Sequence, residues 1–301
     1  MSVLTENIGN MTATHTPVMM KEVLDFLEPS PGEFIIDGTL GGGGHAREII
    51  RNIAPGGIFL GVDRDPDVVR RTDLRSDDVD VKIARANYSD IPLALEEIGL
   101  PKADGILLDL GFSSIQLEEG KGFSFMKDEP LLMTYSPDDE PLKYALRRLG
   151  KKEIREIIMV SGEKYAGRIA DAIWNAERKK RIETTGELVE VIRSATPRNY
   201  EKGRIHPATR TFLAFRIYIN KEFDHLKKIL RSLPEILKPG GTAVVITFQS
   251  LEDRIVKEVF REMAKEGVVE LLTKKPVPVS AEEERLNPRA RSAKIRAIRN
   301  I

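Results

Sequence analysis

Asp37 closes a short apolar run, and the glycines 41–44 and His45 follow it directly. An acid, a glycine loop and an imidazole at that spacing make a backbone cradle with an anionic wall. Glycine tolerates positive φ and lets a ligand lie against the main chain. The next residues, Ala46-Arg47-Glu48-Ile49-Ile50, open a helix whose free N–H groups and positive dipole end face the loop. This is the setting of a nucleotide-type ligand at the first strand–helix turn of an open parallel sheet. Two more acids end apolar runs, Asp63 after 58–62 and Asp109 after 105–108. Tyr88 follows the third run and offers a flat ring to a purine. Ser113 and Gln249 stand just past the fourth and fifth runs.

The elements needed to position these residues are legible in the same pattern. Strands are expected at 34–37, 58–63, 79–84, 105–111 and 242–248, each apolar and bounded by turn residues. Helices are expected between them, at 19–27, from 45, from 67 and at 91–98, the last capped by the segment 87–90. From 113 to 207 the rhythm breaks. Helical spacing appears at 141–149, 153–160 and 163–177, and Thr184-x-x-Glu187 is a capping box opening 188–195. A helical domain inserted into the sheet domain follows, a lid rather than a helix-turn-helix reader. The span 208–237 is helical with an interruption expected at Pro234, and Ser250 caps a helix over 251–265. The segments 268–272 and 293–298 are expected to close the sheet as an antiparallel pair, with a loop at 276–288 between them. The expected fold is thus α/β: an open, mostly parallel sheet with an inserted all-helical domain. Its divisions are an N-terminal arm (1–14), the sheet domain in two parts (15–112 and 208–301), and the helical insert (113–207).

Composition narrows the function. Lys+Arg and Asp+Glu balance at 47 each, so any basic nucleic-acid surface must be local. There is no cysteine, which removes disulfides, thiolate nucleophiles and Cys-based metal sites. No apolar run approaches a membrane span and the first residues lack a signal-peptide pattern, so the expectation is a cytoplasmic protein with no membrane partner. Neither a P-loop nor a strict G-x-G-x-x-G is present. Asp63 suits a ribose with free hydroxyls and repels a 2′-phosphate. Acids spread over successive strand ends flank a ribose more naturally than they converge on one cation, so no metal is expected. The acid–glycine pattern is nearest that of enzymes using S-adenosyl-L-methionine.

Longer motifs sharpen this. They are Asp37-Gly38-Thr39-Leu40-Gly41-x-Gly43-Gly44-His45, Leu108-Asp109-Leu110-Gly111-x-Ser113-Ser114-x-Gln116 and Gly122-Phe123-Ser124-Phe125. With them come His206-Pro207-Ala208-Thr209-Arg210-Thr211-Phe212, Ser250-Leu251-Glu252-Asp253-Arg254 and Asn287-Pro288-Arg289-Ala290-Arg291-Ser292-Ala293-Lys294. From about residue 15 onward the chain resembles the bacterial small-subunit ribosomal RNA methyltransferase H (MraW) family. The resemblance implies a class I methyltransferase fold and methyl transfer from S-adenosyl-L-methionine to N4 of a cytidine in the decoding region of 16S ribosomal RNA. It implies cofactor contacts at Gly43, Gly44, His45, Asp63, Tyr88, Asp109 and Gln116, to which the glycine-loop pattern adds Asp37 and Gly41. Asp109 and Ser113 are the expected catalytic pair. Phe112, Phe123 and Phe125 could stack on an extruded base. Arg289, Arg291 and Lys294 are the expected RNA contacts among several basic clusters. The partner would be 16S RNA within the small subunit, and a homodimer is left open.

The chain also departs from the family pattern. Pro130-Leu131-Leu132-Met133-Thr134-Tyr135 stands where members carry Pro-Leu-Asp-Met-Arg-Met, Leu213 replaces a glutamine, and Gln249 replaces a histidine. A titrating base is therefore not expected at position 249.

Overall fold

In the computed structural model, residues 17–111, 120–200 and 205–301 are described. Five parallel strands carry the sheet: β1 (Phe34–Asp37), β2 (Ile58–Asp63), β3 (Asp80–Arg85), β4 (Ala103–Asp109) and β5 (Leu237–Thr247). Then β6 (Val269–Leu271), β7 (Val277–Pro278) and β8 (Lys294–Asn300) complete it, β8 running antiparallel to β5, β6 and β7. The order is β3-β2-β1-β4-β5-β8-β6, with β7 on β8. The chain winds outward from β1 to β3, then starts again at β4 on the other side. The switch point therefore lies between β1 and β4, where open α/β sheets take their ligands.

β1, β2, β4 and the second half of β5 are apolar almost throughout because both faces are covered. Side chains alternate between the faces. Phe34, Ile36, Leu60, Ile106, Leu108 and Val245 pack with α4 (Ile91–Ile98), α10 (Glu222–Ile236) and α11 (Ser250–Lys265). Ile35, Phe59, Leu107, Val244 and Ile246 pack with α1 (Met20–Leu27) and α2 (Gly44–Ile53). The short α3 (Pro66–Arg71) follows β2, opened by the Asp65 carboxylate accepting from Asp67 N–H at 3.0 Å. At the amino-terminal edge of the sheet, Asp104 accepts from Phe34 N–H at 2.8 Å and from Lys238 Nζ at 2.9 and 2.8 Å.

A third core lies away from the sheet, among α5 (Leu142–Arg148), α6 (Lys151–Val160), α7 (Ala166–Lys179), α8 (Thr185–Ala195) and α9 (Thr209–Ile219). Ile154, Ile158, Ile169, Ile173, Leu188, Ile192, Phe212 and Phe215 fill it. Thr184 caps α8, accepting from Glu187 N–H at 3.3 Å. The altered segment 130–135 is part of this unit: Leu131, Met133 and Thr134 are buried, and the Leu131 and Leu132 carbonyls accept from Lys143 and Leu142 at the start of α5.

Four local expectations change. The break in 208–237 falls at Asn220 and Lys221, not at Pro234, which sits in the last turn of α10. Lys221 adopts φ +50, and Asn220 fastens the corner through Nδ2 to Met133 O (2.8 Å) and Oδ1 from Tyr135 N–H (3.1 Å). Asn87 caps a one-turn 3₁₀ helix, 88–90, ahead of α4. The loop 276–288 contains β7 and a short helix, α12 (Ala281–Leu286), capped by Ser280. The cap of α11 is Gln249 rather than Ser250, because the Glu252 carboxylate accepts from Phe248 and Gln249 N–H at 3.0 and 3.1 Å.

Candidate active site

The parallel register sets the acids at one edge. Asp37 lies opposite Gly61 and Leu107, Asp63 opposite Arg85, and Asp109 opposite Ile246. Each acid ends its strand, so all three meet the carboxyl-terminal crevice. Asp37 is 2% exposed, and its Oδ1 accepts from Thr39 N–H at 3.1 Å and from the Thr39 hydroxyl at 3.4 Å. The same hydroxyl accepts from Asp109 N–H at 2.6 Å. Thr39 therefore bridges the two strand ends across the switch point. Nothing in the linear order gave it that role; it needs β1 and β4 side by side.

The glycine loop is built on positive φ at Gly41 (+50) and Gly43 (+72). At Gly43 a Cβ would also meet Thr72 Cγ2 at 2.9 Å. Asp63 holds the loop from the next strand: Oδ2 accepts from Gly41 N–H at 2.9 Å and Oδ1 from Asp65 N–H at 2.9 Å. Thr72 donates to Gly41 O at 2.9 Å. Gly44 begins α2, and His45 behind it is buried. His45 Nε2 lies 2.9 Å from Val18 O, and Nδ1 lies 3.8 Å from Asp109 Oδ2. The imidazole thus fixes the loop against the segment before α1 and faces Asp109.

Burial raises the carboxyl pKa values here. Asp37 is pushed up to about 6 by desolvation, against the opposing effects of His45 and the Thr39 N–H, with Asp109 and Asp63 adding like-charge repulsion. Asp63 is raised by burial, opposed by its hydrogen bonds from Asp65 and Gly41. Asp109 is raised by burial, opposed by His45 and by the Gly111 N–H that its Oδ1 accepts at 3.2 Å. Its side chain keeps 22% exposure, so it is the acid of this edge that still meets the crevice. Three carboxylates short of counter-charge favour a cationic ligand and repel a polyphosphate. A backbone cradle beside an anionic wall fits S-adenosyl-L-methionine, whose donor sulfur is a cation.

The other expected residues fall as follows. Tyr88 is half-buried after β3, its hydroxyl donating to Glu222 O at 3.4 Å, and burial pushes its pKa well up. Ser113, Gln116 and Phe112 lie outside the described residues. Phe123 stacks on Tyr135 with centroids 5.0 Å apart, and Phe125 stacks on His206 at 4.6 Å; both rings are occupied within the protein. The basic clusters of the helical unit are largely neutralised: Arg147 by Glu183, Arg148 by Glu140, Lys151 by Asp171, Lys180 by Glu187 and Arg181 by Glu177. Lys202 and Arg204 lie outside the described residues. Lys294 begins β8 in register with Thr247, which puts it at the carboxyl end of β5. Arg291 precedes it with an 80% exposed side chain, 3.5 Å from Glu284. Arg289 lies in the same short 3₁₀ segment, 288–292.

A buried polar network was not foreseen. Arg216 of α9 is sandwiched between Glu222 (Nε to Oε1 2.7 Å, Nη2 to Oε2 2.8 Å) and Glu252 (3.7 Å), and Tyr135 donates to Glu222 at 3.3 Å. It joins the helical unit to the cap of α11. The charges read as an ordinary amphipathic helix surface until α9, α10 and α11 are brought together. Arg64 and Lys121 add further ties, Arg64 to Asp139 and Lys121 to Asp65 at 2.6 Å. Among the described residues no group of acids and histidines is arranged to hold a metal ion, and no helix is long and apolar enough to cross a membrane.

Comparison with known sequences gives one answer. The model of the MraW methylase family matches residues 12–301. A ribosomal RNA small subunit methyltransferase H from Geobacter sulfurreducens is 43% identical over 313 residues, covering 97% of this chain and 100% of the relative. One of the same name from Persephonella marina is 38% identical over 291 residues, covering 95% and 99%. Among solved structures, an rRNA methylase from Streptococcus thermophilus aligns with a TM-score of 0.42 at 8% identity, covering 93% of this chain and 95% of that one.

Proposed function

Because the chain belongs to the MraW methylase family, we propose that it transfers a methyl group from S-adenosyl-L-methionine to N4 of a cytidine in the decoding region of 16S ribosomal RNA. At the coarser level the chain is a small-subunit ribosomal RNA methyltransferase that uses S-adenosyl-L-methionine. The observation that carries the finer reading is Asp109, an acid with raised proton affinity, partly open to the crevice beside the glycine cradle.

In this reading Asp37, Gly41, Gly43, Gly44, His45, Asp63, Tyr88 and Gln116 hold the cofactor. Bound there, it supplies an electrophilic methyl group on a sulfonium. The exocyclic amino nitrogen of cytosine is a poor nucleophile because its lone pair is delocalised into the ring. Asp109 accepts a hydrogen bond from that amino group, which favours a pyramidal nitrogen, and then receives the proton the nitrogen sheds. Desolvation makes its carboxylate a stronger base than an exposed one. Ser113 contacts the base, and alignment within the crevice supplies much of the remaining rate. Arg289, Arg291 and Lys294 engage RNA phosphates at the β5–β8 side of the same edge. The helical unit, 113–207, recognises the substrate between the two parts of the methyltransferase domain, 15–112 and 208–301. A ribosomal substrate within the small subunit makes the cytoplasm the working compartment.

The test is to incubate the protein with methyl-labelled cofactor and small subunits lacking the modification, then to locate label by mass spectrometry of nucleosides. N4-methylcytidine at one decoding-region position is expected. Label on another atom or another RNA overturns the assignment.

A further inference from the structure

Three ion pairs cross from the carboxyl ends of β2 and β3 to the segment 121–139 of the helical unit. Lys121 Nζ donates to Asp65 Oδ2 at 2.6 Å, Arg64 pairs with Asp139, and Arg85 Nη2 donates to Asp138 Oδ2 at 2.6 Å. The three acids differ in burial: Asp138 is 78% exposed and Asp139 18%, whereas Asp65 is wholly buried. An exposed pair contributes little, but a buried carboxylate that loses its cation is costly. Lys121 meets the most deeply buried of the three.

Its other attachments make Lys121 a link between the helical unit and the glycine loop. Its carbonyl accepts from Met133 N–H at 2.7 Å, and Met133, at φ +59, is held in turn by Asn220 Nδ2. On the sheet side, Asp65 caps α3 through Oδ1, and its N–H donates to Asp63 Oδ1 at 2.9 Å. Asp63 Oδ2 accepts from Gly41 N–H at 2.9 Å. A continuous hydrogen-bonded path thus runs from Met133 through Lys121, Asp65 and Asp63 to the cradle. Asp65 also acts on Asp63 through space: burial raises the Asp63 pKa, and the Asp65 charge raises it further. Without its cation, the Asp65 carboxylate has to take up a proton or turn towards water. Turning towards water would carry away the cap of α3 and the N–H that holds Asp63.

We propose that Lys121 is a positioning residue for the cofactor: through Asp65 it fixes the Asp63 carboxylate and the Gly41 turn, so that docking of the helical unit and cofactor affinity are coupled. This rests on the reading of Asp63 and Gly41 as cofactor contacts and adds to it. Coupling is reciprocal, so bound cofactor must also tighten the hold of the helical unit at Lys121.

The experiment compares wild type, Lys121→Met, Lys121→Arg and Asp63→Asn. Affinity for S-adenosyl-L-methionine is read by calorimetry and folding by urea denaturation. Hydrogen exchange is followed at the Met133, Leu142 and Lys143 amides, which donate to Lys121, Leu132 and Leu131, with and without S-adenosyl-L-methionine. Lys121→Met is expected to bind it roughly 5- to 150-fold more weakly, the range of a coupling between two sites, with turnover at saturating cofactor near wild type. Lys121→Arg keeps the cation and is expected to recover part of that affinity. In wild type the cofactor is expected to slow exchange at the three amides, and in Lys121→Met to slow it less. Wild-type affinity in Lys121→Met overturns the proposal, as does a Lys121→Arg no better than Lys121→Met. Exchange in wild type that the cofactor leaves unchanged overturns it too, and that measurement stands even if Lys121→Met does not fold. Unchanged affinity in Asp63→Asn overturns the reading of the cradle itself, and this assignment with it.

Discussion

Arg216 grips Glu222 through two nitrogens across the corner between α9 and α10, at 2.7 and 2.8 Å. Both side chains are nearly inaccessible, at 11% and 14% exposure. A buried pair of this kind is weak evidence for stability by itself, yet removing one partner strands the other. Arg216→Met should leave Glu222 and Glu252 buried without their cation and cost about 3–5 kcal/mol. Urea denaturation of the variant against wild type measures this. A cost below about 1 kcal/mol would mean that the corner rearranges to admit water.

Glu252 gives the network a pH signature. Burial raises its pKa to about 7 from the ordinary 4.5, against the pull of Arg216 and the two N–H groups it accepts. The folded state therefore holds this proton where the unfolded chain has released it. Stability should fall as pH rises from about 4.5 to about 7, by up to about 3 kcal/mol from this group. Glu252→Gln cannot titrate and should flatten that part of the curve. Urea midpoints at pH 5, 6 and 7 for both proteins test it, since the difference between the curves cancels the other titrating groups. Parallel curves would place the Glu252 pKa at its ordinary value.

Asp109→Ala should fold, because Thr39 takes the backbone N–H of residue 109 rather than its carboxylate. Methyl transfer should drop by at least about 10²-fold, the scale of a positioned acid or base. Single-turnover methylation of unmodified small subunits is the measurement. A folded variant working at near the wild-type rate would remove Asp109 from the chemistry.

Neutralising Arg289 and Arg291 together should weaken RNA binding and flatten its salt dependence, since each phosphate contact releases counterions. Binding titrations at about 50 to 200 mM salt give the slope. An unchanged slope would assign the pair to the fold of the segment before β8.

How much of this was legible in the chain depended on range. The three strand-end acids and the glycine loop are local signals, readable because an apolar run, an acid and a turn lie within a dozen residues. The corner at Asn220 and Lys221 was not, because a lysine at φ +50 leaves no glycine to mark it. Its anchor is Asn220 reaching Met133 and Tyr135, far back in the chain. Thr39, Arg216 and Glu252 acquire their roles only from partners on other elements. Phe123 and Phe125 looked available for a base and prove to be stacked within the protein, a matter of tertiary packing that spacing cannot express. The helix α12 was hidden by the prolines around it, and the cap moved from Ser250 to Gln249 because Gln249 is the last extended residue and Glu252 reaches back to its N–H.

Asp104 ties Phe34 of β1 and Lys238 of β5 to its own strand β4 at the pole of the sheet opposite the crevice. Thr39 and the Leu110 N–H to Ile246 O bond tie the same three strands at the crevice end. The floor of the crevice is therefore braced from both poles, and the spacing between Asp37 and Asp109 is set by the sheet itself.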